Sequence, residues 1–170
     1  RIGFRSVRMN DWKLSVNGAR MFIKGISMLP SAPRPGDADE RMIAADLKAV
    51  RDAGLDLVRC HTHIARPEFY DRADELGLLV WQDMPMRGLM ARSVRKQAVR
   101  QTREAVDLLA HHPSVAIWCA HDEPHRRPDQ PLATPCRRVN RHGNRGITQP
   151  QFTRDSGFRH TCHADNMAAI

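Results

Sequence analysis

The sequence predicts an α/β protein in which a parallel sheet with helical crossovers follows a short antiparallel hairpin. Two observations lead to this prediction. Short apolar runs alternate with segments of helical periodicity over residues 21–125, and such alternation requires a parallel sheet. The dipeptide Asn17–Gly18 lies between two stretches that alternate in strand fashion, which is a strong hairpin signal. We therefore expect about four β/α units between the hairpin, residues 1–20, and an irregular tail, residues 126–170.

The N-terminal hairpin is predicted from the period-two alternation of "IGFRSVRM" and "DWKLSVNGARMFIKGI". We interpret it as the end of a β-sheet domain that precedes the α/β part. The more apolar continuation "FIKGISML", residues 22–29, is predicted to be the first parallel strand. Residues 31–36, "SAPRPG", combine proline with glycine and are predicted to form a loop.

The remaining elements are predicted from the spacing of apolar residues and from helix end signals. The predicted helices span residues 37–54, 67–77 and 90–112. The predicted strands between and after them span residues 55–61, 78–85 and 114–124. The last two strands are continuous apolar runs, which are typical of strands buried on both faces of a sheet, and Trp118 in the middle of the last one is expected in the core. His111 and His112 are expected to cap the third helix and favour its dipole.

The charge of the chain argues against a nucleic-acid partner. The formal net charge is +8, but the excess is concentrated in residues 126–170, which contain eight arginines and only three acids. This segment has no sustained periodicity and no interleaved aromatic residues, so we expect it to be disordered and not to bind nucleic acid. No segment reaches the ~20 apolar residues that a membrane helix needs, so we expect no membrane partner.

Cysteine usage and the N-terminus indicate a cytoplasmic protein. The four cysteines form no CxxC pair, and two of them end predicted buried strands, where a reduced cysteine behaves as a small apolar residue. No signal peptide is visible, and the chain opens with "RIGFRS" inside an apparent strand. That opening suggests that the sequence begins within a longer protein.

Polar residues that interrupt the apolar runs lie at the carboxyl ends of the predicted strands, where α/β folds place their binding sites. Two adjacent acids, Asp122 and Glu123, end the last strand. A carboxyl group in that position can have its pKa raised by desolvation, as a general acid requires. An ion pair with a nearby arginine explains the same pattern, and the residues alone do not decide between these interpretations.

Three segments resemble family 2 of the glycoside hydrolases, the β-mannosidases, β-galactosidases and β-glucuronidases. They are "FIKGIS", "LDLVRCHTHIARPEFYDRADELGLLVWQDMP" and "HHPSVAIWCAHDEP", and the match covers about residues 3–124. The resemblance implies an immunoglobulin-like β-sandwich, of which residues 1–20 are the end, followed by a (β/α)8 TIM barrel, of which residues 21–125 are the first half. The wording "WQDMP" is most similar to the mannosidase-like branch.

The resemblance also implies roles for individual residues in the retaining hydrolysis of a β-linked saccharide, with no cofactor and no metal. Glu123 matches the general acid/base of the family. Asp122 stands where the family has an asparagine that donates a hydrogen bond to the sugar, and an ionised aspartate can only accept. The implied substrate-binding residues are Arg59, His61, Trp81, Asp83 and Asp122.

The second carboxylate of a retaining glycosidase is not evident in the sequence. Such enzymes need two carboxyl groups about 5–5.5 Å apart, and no glutamate follows Glu123. A complete barrel takes about 250 residues. We therefore expect a truncated fragment that is inactive or weakly active alone and that self-associates through open barrel edges.

Two other classes of function fit the sequence. His61 and His63 form an H-x-H pair after a strand, and metal-dependent hydrolases built on barrels use such pairs to bind zinc. Alternatively, the chain is a non-catalytic remnant that binds carbohydrate or has no role. A zinc titration and assays with aryl glycosides separate these hypotheses from the glycosidase.

Overall fold

A computed structural model describes residues 3–10, 13–88 and 90–122 of the chain. The predictions for residues 126–170 and for Glu123 lie outside these ranges. The strands within them are Val7–Asn10 (β1), Lys13–Val16 (β2), Ala19–Met21 (β3), Gly25–Met28 (β4), Leu57–Cys60 (β5), Leu79–Asp83 (β6) and Val115–Cys119 (β7). The α-helices are Glu40–Asp52 (α1), Pro67–Leu76 (α2) and Arg95–Leu109 (α3).

The predicted hairpin is present and is part of a three-stranded antiparallel sheet in the order β1-β2-β3. The turn between β2 and β3 has positive φ at both central residues, 52° at Asn17 and 81° at Gly18, which asparagine and glycine tolerate best. The Asn17 side chain also accepts a hydrogen bond from the backbone N–H of Ser6 at 2.9 Å. The turn is therefore tied to the segment that enters β1.

The second sheet contains four parallel strands in the order β4-β5-β6-β7. Each strand pairs with the next one along the chain, and α1, α2 and α3 form the three connections, as the alternation predicts. All four strands are shorter than the apolar runs that predict them. The first begins at Gly25, where a Cβ atom would lie 2.9 Å from the carbonyl oxygen of Leu57. The close approach of β4 to β5 therefore requires glycine at this position.

Two of the helices begin later than the sequence patterns indicate, because short 3-10 turns precede them. Pro35–Asp37 form one such turn before α1, and Arg92–Val94 form the other before α3. The start of α1 is set by Asp39, whose side chain accepts a hydrogen bond from the Met42 N–H at 2.8 Å, as an N-cap does. α2 begins at the predicted residue and ends one residue before the predicted end, because Gly77 caps it with a φ of 66°.

The parallel sheet is buried on both faces by two apolar clusters. On one face Val58, Val80 and Trp118 pack in the cluster that contains the apolar residues of the helices, so Trp118 belongs to the core, as expected. On the other face Leu57, Leu79 and Ile117 pack against Val7 and Leu14 of the antiparallel sheet. The hairpin region thus covers the amino-terminal part of one face and leaves the carboxyl ends of the strands uncovered by it.

A polar contact joins α2 to the segment that enters β7. Asp74 accepts hydrogen bonds from the Nδ1 atom of His112 and from the backbone N–H of Ser114, both at 2.8 Å. His112 is 6% exposed, so it forms a buried tertiary contact in addition to following the end of α3. In the described part of the chain, no helix has the length and apolarity that crossing a membrane requires.

Candidate active site

The candidate site lies at the carboxyl ends of β5, β6 and β7. Successive residues of a strand point to opposite faces of the sheet, so Arg59, Trp81 and Asp83 share the face that carries Leu57 and Leu79. Arg59 and Trp81 are register partners on adjacent strands. The side chains that the sequence predicts for substrate binding are therefore neighbours because of their positions in the ladder.

Arg59 connects the ends of three strands. Its Nε atom donates to both carboxylate oxygens of Asp83 on β6, at 3.1 and 2.9 Å. Its Nη2 atom lies 2.7 Å from the same carboxylate and donates to Oδ1 of Asp122, beyond β7, at 2.9 Å. The Arg59 guanidinium is thus bound to two carboxylates at once.

The two carboxylates stabilise the positive charge of Arg59. Burial by itself lowers the pKa of this guanidinium, but the hydrogen bonds and charges of Asp83 and Asp122 outweigh burial and raise the pKa above its usual value. Arg59 is therefore a permanent cation that compensates the charge of both neighbouring carboxylates.

Asp122 is surrounded by cationic or potentially cationic groups. Besides Arg59, the His61 Nε2 atom lies 3.4 Å from its Oδ2 atom and the Arg87 Nε atom lies 3.7 Å from the same oxygen. Asp122 is 8% exposed, and its buried Oδ2 atom accepts no hydrogen bond from the described residues. This oxygen is therefore enclosed within the protein and is not open to a ligand in this conformation.

The backbone around Asp122 is fixed to the loop that follows β6. The Asp122 N–H donates to the carbonyl of Met86 at 2.8 Å, and the Gly88 N–H donates to the Asp122 carbonyl at 3.0 Å. Next to it, burial lowers the pKa of His121, although a backbone hydrogen bond and Asp122 act in the opposite direction. His121 is therefore uncharged at neutral pH.

Trp81 presents its indole ring to Arg59. The guanidinium carbon lies 5.4 Å from the ring centroid, within the range of a cation–π contact. The Trp81 Nε1 atom is buried and has no hydrogen-bond partner among the described residues. Trp81 packs against the apolar cluster beneath it, so it forms the boundary between the core and the candidate site.

The loop between β5 and α2 carries His61 and His63 and contains an unusual backbone conformation. Thr62 has a φ of 56°, which a β-branched residue rarely adopts. Its N–H donates to Oδ2 of Asp83 at 3.3 Å, and its hydroxyl donates to the His61 carbonyl at 2.8 Å. The Gln82 side-chain amide donates to the His63 carbonyl at 2.7 Å. Side chains of β6 therefore hold this loop in place.

The rival hypothesis of a zinc site at His61 and His63 gains no support from the geometry. Within residues 3–10, 13–88 and 90–122, the side chains that could together hold a metal ion are Asp71, Asp74 and His112. They lie near the amino end of β7, at the opposite end of the sheet from His61. His63 Nδ1 instead lies 3.1 Å from the backbone carbonyl of His61.

The structure brings together the five residues that the sequence predicts for substrate binding, namely Arg59, His61, Trp81, Asp83 and Asp122. Glu123, the predicted acid/base, lies outside the described residues and directly follows Asp122 in the chain. Two features of the site, Arg87 and the positive φ of Thr62, are not indicated by the sequence patterns.

Arg87 reaches the site through the turn that follows β6. Gly88 has a φ of 64° at this turn, and Arg87 forms an isolated parallel bridge with Asp122. A glycine that follows a buried strand is an ordinary turn signal, so Gly88 could have predicted the turn. It does not reveal which side chain the turn brings to the site.

Comparison with known proteins identifies the family of the chain. The profile described as "Glycosyl hydrolases family 2, TIM barrel domain" matches residues 7–142. The chain belongs to glycosyl hydrolase family 2. The predicted fold, the first β/α units of a TIM barrel, is confirmed by this match and by the four-stranded parallel sheet.

Individual relatives include both glucuronidases and mannosidases. A β-mannosidase of Rattus norvegicus is 31% identical over 117 residues, which are 64% of this chain and 13% of that protein. The β-glucuronidase from Ruminococcus gnavus in complex with C6-substituted uronic isofagomine aligns with a TM-score of 0.67 and 27% identity. That alignment covers 73% of this chain and 23% of the other.

A second solved structure, the apo form of Bacteroides uniformis β-glucuronidase 3, aligns with a TM-score of 0.65 and 27% identity. The alignment covers 72% of this chain and 16% of that structure. The chain therefore spans less than a quarter of the length of each of these relatives, and the activity of a whole family member is not assigned to it by similarity alone.

Proposed function

We propose that the chain provides the acid/base half of the active site of a retaining β-glycosidase that acts on a β-linked saccharide. The observation that carries this proposal is the convergence of Arg59 and His61 on Asp122, the residue directly before Glu123, at the carboxyl edge of a family 2 barrel sheet. Glu123 is the proposed general acid/base, which protonates the leaving oxygen and later activates water.

The proposed substrate contacts follow from the polar groups that face the site. The side chains of Arg59 and His61 are 21% and 26% exposed, and they donate hydrogen bonds to sugar hydroxyls. Trp81 is partly exposed as a residue, and it offers its indole ring, not its buried N–H, to the sugar. These groups provide polar donors beside an aromatic surface, as is common in the binding sites of small ligands.

The 170 residues supply one half of the catalytic pair in this proposal. The retaining mechanism needs a second carboxylate about 5–5.5 Å from the first, and no glutamate follows Glu123 in the sequence. The chain tested alone is therefore expected to show little or no turnover of aryl β-mannosides, β-galactosides or β-glucuronides. Any turnover that it does show is expected to disappear in the Glu123→Gln variant.

Binding of an iminosugar tests the proposal without requiring turnover. We expect calorimetric titration with isofagomine or its C6-substituted uronic form to detect binding, because either ligand carries several hydroxyl groups and a basic nitrogen. Loss of a hydrogen bond to a charged group costs about 1.5–3 kcal/mol, so Glu123→Gln is expected to weaken binding at least about tenfold.

The matched control for this substitution is Asp107→Asn, which removes an exposed carboxylate from α3 on the helical side of the sheet. It is expected to leave iminosugar affinity unchanged. Absence of binding by the unsubstituted chain, or an equal loss in both variants, would contradict the proposed function. The ratio of the two iminosugar affinities distinguishes a uronide site from a neutral one.

A further inference from the structure

Asp83 differs from the other polar residues of the candidate site because its carboxylate has no exposed surface. The side chain is 0% exposed, whereas that of Arg59 is 21% exposed. Both oxygens accept from the Arg59 Nε atom, and Oδ2 also accepts from the Thr62 N–H at 3.3 Å. A buried carboxylate that is already bonded through both oxygens is poorly placed to receive a substrate hydroxyl.

We propose that Asp83 is a positioning residue that acts on the substrate-facing groups through Arg59 and Thr62 and does not itself touch the substrate. The proposal rests on the proposed function, because it concerns the same site. The sequence led us to expect that Asp83 binds substrate, whereas in this proposal it holds the residues that do.

The first route of action is through the backbone of Thr62. A β-branched residue at positive φ is strained, and the strain persists only when neighbouring contacts maintain it. The hydrogen bond from the Thr62 N–H to Asp83 is one such contact. The turn at Thr62 places the preceding residue, His61, with its Nε2 atom 3.4 Å from Asp122, so release of the turn displaces His61.

The second route is through the guanidinium of Arg59. The Asp83 carboxylate contacts both the Nε and the Nη2 atoms of Arg59. In this orientation Nη2 also donates a hydrogen bond to Asp122. Without the charge of Asp83, the guanidinium is free to rotate and to pair with Asp122 by a different edge. The partly exposed Arg59 side chain then no longer presents the same N–H groups to a ligand.

Hydrogen exchange in the full 170-residue chain tests the positioning role directly. In Asp83→Asn we expect exchange at the Thr62 N–H and at the Arg59 Nε–H to accelerate at least about tenfold relative to the unsubstituted chain, as local opening predicts. The amides of Val58 and Val80, in the core of the sheet, are expected to keep their protection. Asp56→Asn, which removes the partner of Lys24 in a partly exposed ion pair, is the matched control.

A second variant keeps the test decisive if Asp83→Asn fails to fold. Glycine adopts positive φ without strain, so the double variant Thr62→Gly/Asp83→Asn is expected to fold. Asp83→Asn is expected to cost less stability when it is introduced into Thr62→Gly than when it is introduced into the unsubstituted chain. A purely general loss of packing would not depend on residue 62. Unchanged exchange at Thr62 and Arg59 in Asp83→Asn, or additive effects in the double variant, would overturn the proposal.

Isofagomine provides the functional readout. In the unsubstituted chain it is expected to shift the imidazole signals of the partly exposed His61 more than the carboxyl carbon signal of Asp83. A larger shift at Asp83 would show direct contact and would also overturn the positioning role. Absence of isofagomine binding would contradict the proposed function, and the hydrogen-exchange experiment would then decide the positioning role by itself.

Discussion

Removal of the Tyr70 hydroxyl is the perturbation that most directly tests how the core supports the candidate site. Tyr70 is the sole tyrosine of the chain and is 0% exposed. Its hydroxyl donates to Oε1 of Gln82 at 2.6 Å and accepts from the Ala65 N–H at 3.1 Å. Gln82 in turn donates to the His63 carbonyl. The hydroxyl thus connects α2, β6 and the loop that carries His61.

The cost of Tyr70→Phe follows from the groups that it leaves without partners. Gln82 is fully buried, and stranding a buried acceptor costs about 1–3 kcal/mol. The lost hydrogen bond to the partly buried Ala65 N–H adds about 0.5–1.5 kcal/mol. We therefore expect Tyr70→Phe to lower the free energy of unfolding by about 1.5–4.5 kcal/mol.

Urea denaturation followed by tryptophan fluorescence measures this loss, with Ser15→Ala as the control. The Ser15 hydroxyl makes an exposed hydrogen bond of 3.5 Å to the Arg8 carbonyl, and its removal is expected to cost less than about 0.5 kcal/mol. A double-mutant cycle with Gln82→Leu should show a coupling of about 0.5–3 kcal/mol. A Tyr70→Phe cost as small as that of Ser15→Ala, or strict additivity with Gln82→Leu, would refute the reasoning.

Three further predictions concern the helices, the pH dependence and the open edge of the sheet. Asp74→Ala should lower the free energy of unfolding by about 2–4 kcal/mol, because it leaves two hydrogen-bond donors without a partner. The control Asp71→Ala, at an exposed position of the same helix, should lower it by less than about 0.5 kcal/mol. Parallel urea titrations measure both values. Burial raises the pKa of Cys60 and that of Tyr70, so the folded state retains protons that the unfolded state releases as the pH rises. The free energy of unfolding is therefore highest below about pH 8.5. It falls above that pH because of the Cys60 thiol, and above about pH 10 also because of the Tyr70 phenol. Phenolate absorbance that appears near pH 10 without loss of the far-UV circular dichroism signal would disprove this. Ile26→Lys, on the outer edge of the described parallel sheet, should reduce static light scattering at equal concentration, because lysine on an edge strand disfavours edge-to-edge pairing.

Much of the fold could be predicted from the sequence because its determinants are local. The apolar runs that form β5, β6 and β7 and the turn at Asn17–Gly18 depend on neighbouring residues only. The helix starts were less predictable. Asp39 caps α1 through its side chain, and Asp37, two residues earlier, is an equally suitable cap in the sequence but lies in a 3-10 turn.

The candidate site could be predicted only as a set of strand ends. The sequence places Arg59, Asp83 and Asp122 at three carboxyl ends, but the side-chain pairing among them depends on the strand order and on the register. No feature of the sequence indicates the positive φ of Thr62, since threonine rarely adopts that conformation. A contact that maintains it comes from Asp83, which is 21 residues away in the chain.

The alternation within each strand explains how one sheet can support both a core and a site. Val58 and Val80 pack in the cluster on the helical side, and their neighbours Arg59 and Trp81 consequently point to the opposite face. A shift of one residue in the register would exchange the two sets and bury Arg59 among the helices. Such a shift is opposed by the apolar burial on both faces, so the packing that stabilises the sheet also fixes the position of Arg59 beside Asp122.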